Sequence, residues 1–154
     1  MSRIHLVCVL LFLGSLHATS AIAAEHDIEV RSFKDKIIAL TDRLINAFAK
    51  HDWDEEMDLW HEDGYLSVEG IPLAHGKEAI RKVVELVGNP LHDMTTEIIE
   101  VGPLEEGAAY VYVLYTEKAH DQQGKLIRDS KVLLVWRNTD DGYKASFLMV
   151  NNNE

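Results

Sequence analysis

Between residues 30 and 48, Val30, Phe33, Ile37, Leu40, Leu44 and Phe48 return at steps of three and four, with Arg31, Lys34, Asp35, Asp42 and Arg43 between them. A helix of 3.6 residues per turn gathers those six on one side, so the spacing predicts a long amphipathic helix. Trp53, Met57 and Trp60 then fall at i, i+4 and i+7 and predict a second, short helix with its acids, Asp52, Glu55, Glu56 and Asp63, facing water or flanking its ends. A third is expected where Ala79, Ile80, Val83, Val84 and Val87 form a stripe stopped by Gly88-Asn89-Pro90. Elsewhere the chain reads as strand: Tyr65–Glu69 and Ile71–Leu73 around Gly70, then Met94–Val101, Ala108–Lys118, Lys125–Arg137 and Tyr143–Val150, set apart by Gly- and Asp-containing turns. The order α-α-β-β-α-β-β-β-β predicts an α+β domain whose mostly antiparallel sheet is covered by helices on one face.

Two strands break the alternation expected of a half-wet sheet. Tyr110 to Tyr115 and Val132 to Trp136 are apolar on both faces. Three helices can cover only one face, so a second subunit on the other is the economical explanation, and a homodimer is expected. At the N-terminus, Arg3 and His5 precede the apolar run Leu6–Leu13 and the small-residue stretch Ala18–Ala24. This reads as a secretory leader over residues 1–23, cleaved after Ala21-Ile22-Ala23, with a single domain over 24–154. The run is too short to span a membrane, so a secreted, extracellular protein without membrane attachment is expected. The one cysteine, Cys8, lies in that leader, and the domain must be held by packing alone.

Residues 51–63, HDWDEEMDLWHED, suggest metal chemistry at first sight. Asp52, Asp54, Glu56 and Asp58 alternate like the first ligands of a calcium loop, but the sixth position, which must turn sharply as glycine, is Met57, and the twelfth, a bidentate glutamate, is Asp63. His51 and His61 stand ten apart and match no zinc spacing. No metal and no cofactor are expected. The formal net charge of -11 repels nucleic acid and anionic lipid.

With these elements in order, several phrases resemble the NTF2-like superfamily, in particular its SnoaL-like and DUF4440-type branches. Ala47-Phe48-Ala49-Lys50-His51-Asp52-Trp53 is similar to the family's exit from helix one, and Leu59-Trp60-His61-Glu62-Asp63-Gly64-Tyr65-Leu66 to the segment that follows. Gly76-Lys77-Glu78-Ala79-Ile80 resembles its start of helix three, and Val135-Trp136-Arg137-Asn138 with Asp141-Gly142-Tyr143-Lys144 its closing hairpin. The resemblance implies a curved sheet wrapping the helices into a cone whose open end is a pocket. Trp53, Met57, Trp60, Tyr65, Tyr112, Trp136, Phe147 and Met149 are then the expected lining, and a small apolar molecule the expected ligand.

Superfamily enzymes such as ketosteroid isomerases set a carboxylate base and an acidic donor in the cone. Carried onto this chain, the donor tyrosine falls on Leu44 and the base near Val68, with Glu69 one place off; Phe147, Leu148 and Met149 of the last strand are apolar. The remaining candidates are Glu69, His75, His92, Tyr65 and Tyr112, with Arg128 and Lys131 as cations for an anionic group. The leading expectation is a non-enzymatic binder of a small ligand. The alternatives are an isomerase, cyclase or hydratase using Glu69 as base and Tyr65 as donor, and an assembly module with no open cavity.

Overall fold

The computed structural model describes the backbone of residues 5–153 and the side chains of residues 27–153. The element order is α1 (His5–Ala49), α2 (Trp53–Leu59), β1 (Trp60–Val68), β2 (Ala74–His75), α3 (Lys77–Gly88), β3 (Asp93–Gly102), β4 (Tyr110–His120), β5 (Leu126–Thr139) and β6 (Gly142–Asn152). The leader expected over residues 1–23 lies outside the residues whose side chains are described. No helix among the described residues is long and apolar enough to cross a membrane.

Helix α1 stops where His51 takes the left-handed conformation, φ 58°, and the Asp52 amide folds back to donate to the Ala47 carbonyl at 2.9 Å, a terminator that closes orphan carbonyls at a helix end. The Asp52 carboxylate then accepts from the Glu55 amide at 3.2 Å and caps α2. The acids of α2 are thus more than solvent dressing. Glu55 pairs with Arg43 of α1, and Asp54 meets Arg81 of α3 at 2.6 Å, so the short helix is tied to both neighbours. Ile71-Pro72-Leu73 does not form the expected strand; β1 pairs instead with Ala74 and His75, since Pro72 has no N–H to give a ladder.

The six strands lie in the order β2-β1-β6-β5-β4-β3. All neighbours are antiparallel except β1 and β6, which run parallel. The helices pack into the inner face of this curved sheet. Phe33, Ile37 and Leu44 of α1 and Ile80 and Val84 of α3 meet Val111, Val113, Val132, Leu134 and Trp136 in one cluster. At its centre the Trp136 indole donates to Thr41 Oγ1 at 3.1 Å, and Thr41 in turn donates to the Ile37 carbonyl at 2.9 Å, so the buried polar atoms of both residues are satisfied.

The outer face carries two apolar rows fixed by register. Tyr65, Phe147, Val135 and Tyr112 stand side by side across β1, β6, β5 and β4, and Met149, Leu133 and Leu114 form the next row. Tyr65 is exposed and the other six are only half-buried.

Candidate functional site

Inside the cone, between the end of α1 and the sheet, lies a cavity with about 50 Å³ open to the centres of water-sized molecules. Its wall is apolar apart from four side chains: Glu56 of α2, Tyr115 and Glu117 of β4, and Arg128 of β5. Trp60 adds an indole.

Glu56 is the unexpected member. It stands three residues after Trp53 and four before Trp60, on the same side of the helical turn, and so it points inward with them rather than to water. Only 3% of its surface is exposed. Burial pushes its carboxyl up to about 8, against the opposing pull of the Trp60 indole beside it, so the group is mostly neutral at pH 7. That indole N–H is near the carboxyl but does not complete a hydrogen bond to it: Glu56 Oε2 and Trp60 Nε1 are both buried, and neither has a partner among the described residues.

The other three groups form a connected set. Arg128 Nη1 approaches Glu117 Oε1 at 3.3 Å, Arg128 Nη2 donates to the Val87 carbonyl near the end of α3 at 2.9 Å, and the guanidinium lies 5.8 Å from the centre of the Phe48 ring. Burial raises the Glu117 carboxyl, and Arg128 offsets part of that rise. Burial, with the charges of Glu117 and Glu56, drives the Tyr115 hydroxyl well above the tyrosine range. The cavity therefore holds a neutral acid, a neutral phenol and one ion pair, in surroundings where each polar contact counts for more than in water.

Of the lining expected from the sequence, only Trp60 is on the cavity wall. Met57 and Trp136 are buried in the core cluster beside it. Trp53 packs edge-on against Phe48 and stacks with His51, and its ring comes so near Gly88 that a Cβ there would stand 2.6 Å from Cη2. Tyr65, Tyr112, Phe147 and Met149 lie on the outer face: Tyr65 stacks on His75 with ring centroids 4.3 Å apart, and Tyr112 donates to Glu100 at 2.7 Å. On β6 it is Leu148 and Val150 that reach the cavity. A bulge explains the exchange, because Trp136 pairs with Ala145 while Val135 pairs with Phe147, and the extra residue turns the following side chains to the other face. Glu69 is solvent-facing and accepts from the Asn152 amide at 3.2 Å, which removes it, and Tyr65 with it, from any chemistry in the cone. His75 and His92 are likewise exposed. Of the two cations, Arg128 enters the cavity and Lys131 does not.

Solved structures share this architecture. The fold is similar to a ketosteroid isomerase-like protein from Erwinia carotovora atroseptica (TM-score 0.66, 22% identity, 77% of this chain and 94% of that one). It is also similar to an NTF2-like protein with a cystatin-like fold from Novosphingobium aromaticivorans (TM-score 0.68, 19% identity, 88% and 90%). A cystatin-like domain of unknown function from Nostoc punctiforme gives a TM-score of 0.67 at 15% identity, over 80% and 78%. At such identities the likeness concerns the fold alone. Among curated proteins none matches the sequence. The SnoaL-like domain family, however, matches residues 41–143, a span that runs from Thr41 in the core through β5 to Tyr143 at the start of β6, and the chain belongs to that family within the NTF2-like superfamily.

Proposed function

We propose that the cone binds a compact, largely apolar molecule bearing one oxygen, and that Glu56 moves protons on it in isomerase-type chemistry. The observation that carries this is a carboxyl buried at a cavity, with Oε2 unpartnered among the described residues, and held mostly neutral at pH 7; strongly shifted groups of this kind cluster at functional sites. A neutral carboxylic acid can act at two atoms together. One oxygen gives its proton to a carbonyl oxygen while the other takes a proton from the adjacent carbon, so the carbonyl compound becomes its enol and the acid is regenerated. The apparatus sought at Leu44 and Val68 is thus supplied from α2.

The test is hydrogen exchange at the α-carbon of small cyclic ketones in D2O, followed by proton NMR. Wild-type protein is expected to accelerate exchange, most strongly below pH 8 where Glu56 holds its proton, and Glu56→Gln to lose about 10²-fold or more. Equal rates from the two proteins, both folded by circular dichroism, would sink the assignment. A non-enzymatic binder is the second reading. It is favoured by the free Oε2, since working acids and bases are usually oriented by a third group, and it would show as saturable binding without exchange.

In this reading the protein is secreted after loss of residues 1–23, and a second copy covers the outer face. The apolar rows there are bordered by both signs of charge, Lys131 and Arg137 on β5 against Glu97 and Glu100 on β3. The same surface can therefore meet itself about a two-fold axis with unlike charges opposed. Native mass spectrometry at micromolar concentration should give a dimer, and Leu133→Lys a monomer with unchanged far-UV dichroism. A wild-type monomer overturns the pairing.

A further inference from the structure

Among the residues around the cavity, Phe48, Val68, Val87, Met94 and Arg128 share two properties. Each stands within three positions of the end of its element, and each is half-buried rather than buried. They form the rim where the cavity meets solvent, and Arg128 is the one polar residue on it. The inner face of β5 agrees. Trp136, Leu134, Val132 and Ser130 are fully buried along it, Arg128 follows with 14% of its side chain exposed, and Leu126 beyond it is exposed.

We infer that the Arg128 side chain is the gate of this cavity, closed in the present structure, and that a small apolar ligand enters when the guanidinium swings out to water. This rests on the proposal that the cone takes a small ligand. Closed, the guanidinium crosses the rim from the sheet to both long helices, donating to the Val87 carbonyl of α3 at 2.9 Å and lying 5.8 Å from the centre of the Phe48 ring of α1. The Val87 carbonyl is among the last four of its helix, which no intrahelical N–H serves, and the last turn of α3 has no basic residue of its own. The cation that completes the helix end therefore comes from the sheet. Opening at another wall costs more. Strands β1, β6, β5, β4 and β3 are joined side by side, so parting two of them breaks several backbone hydrogen bonds. The start of α3 is fixed by the Gly76 amide on the Gly64 carbonyl at 2.8 Å and by Lys77 on Glu62 at 2.9 Å. Moving Arg128 exchanges one hydrogen bond and one ion pair for contacts with water, through rotation of its own torsions. The swing leaves Glu117, with only 6% of its side chain exposed, without its counter-charge, and that draws the gate shut again. The rest of the rim, Phe48, Val68, Val87 and Met94, is apolar and suits an uncharged molecule in passage.

The probe is fluorobenzene, compact and apolar, whose exchange between free and bound states is timed by ¹⁹F NMR. Arg128→Met with Glu117→Gln removes the ties of the gate and leaves no buried charge behind, and circular dichroism checks that the protein is folded. Its entry rate is expected to exceed that of wild type about tenfold, the factor that one lost charge-assisted hydrogen bond allows. The exit rate should rise with it, so that Kd stays within about threefold. Arg128→Lys, whose ammonium can stay on Glu117 but has no fork to hold Val87 as well, should enter at a rate between the two. If the double variant does not fold, the lysine variant decides by the same entry rate. An unchanged entry rate overturns the gate and leaves the ligand site standing, even where the affinity shifts, because an arginine that only lines the wall acts on exit. If fluorobenzene does not bind wild-type protein, the ligand reading itself falls and the gate with it.

Discussion

Glu56→Gln should abolish a fall in stability that wild-type protein shows between about pH 4.5 and pH 8. The native carboxyl titrates near 8, and in the unfolded chain it returns to the ordinary glutamate range. Between the two, the folded state holds a proton that the unfolded state has lost, so stability declines as pH rises through that window. At about 1.4 kcal/mol per pH unit, the decline from this one group amounts to about 5 kcal/mol at most. Below pH 4.5 the group is neutral in both states and its contribution is constant. Gln keeps the shape and has no charge to desolvate, so the variant should match wild type near pH 4.5 and exceed it by about 4 kcal/mol at pH 8.5. Urea unfolding at a series of pH values measures this directly. Parallel curves for the two proteins would mean that Glu56 is solvated in solution.

Arg128→Met is expected to act in the opposite direction. Removing the guanidinium leaves Glu117 as a buried carboxylate without its counter-charge, and deprives the Val87 carbonyl of its donor. Losing one member of such a pair typically costs about 3–5 kcal/mol. The loss should shrink as the pH is lowered and Glu117, already raised by burial, takes up a proton instead. Arg128→Met combined with Glu117→Gln should recover most of the deficit, because no charge then remains to be paired. A double variant as weak as the single one would show that the guanidinium matters through its packing on Phe48 rather than through its charge.

Periodicity along the chain was enough to place the three helices and the four long strands, because their apolar stripes are long and bounded by turn residues. It was a poorer guide to which way a side chain points. In β4 every position from Tyr110 to Tyr115 is apolar, so nothing in the pattern tells Tyr112, on the outer face, from Tyr115, on the cavity. In β6 an unbroken period of two from Tyr143 and Ala145 leads to Phe147 and Met149. The bulge reverses that parity, and a bulge has no signature without a glycine. Glu56 was legible in principle. It shares the face of Trp53 and Trp60 by simple helical geometry, but a charged residue among seven acids in thirteen positions reads as solvated surface, and only the packing of α1 and the sheet over it shows otherwise. Glu117 and Arg128 lie seven or more residues from any of the quoted phrases, and are joined only because β4 and β5 pair.

The parallel pairing of β1 with β6 has a consequence for how the molecule is made. The last strand of the chain is the one inserted between β1 and β5, so the sheet remains two separate pieces until nearly the whole chain is available. Contacts of such long sequence separation form late. A growing chain therefore cannot close the cone around Glu56 before β6 has emerged. The same arrangement makes the end of the sequence its most exacting part: deleting β6 would not trim an edge but separate the sheet at its middle.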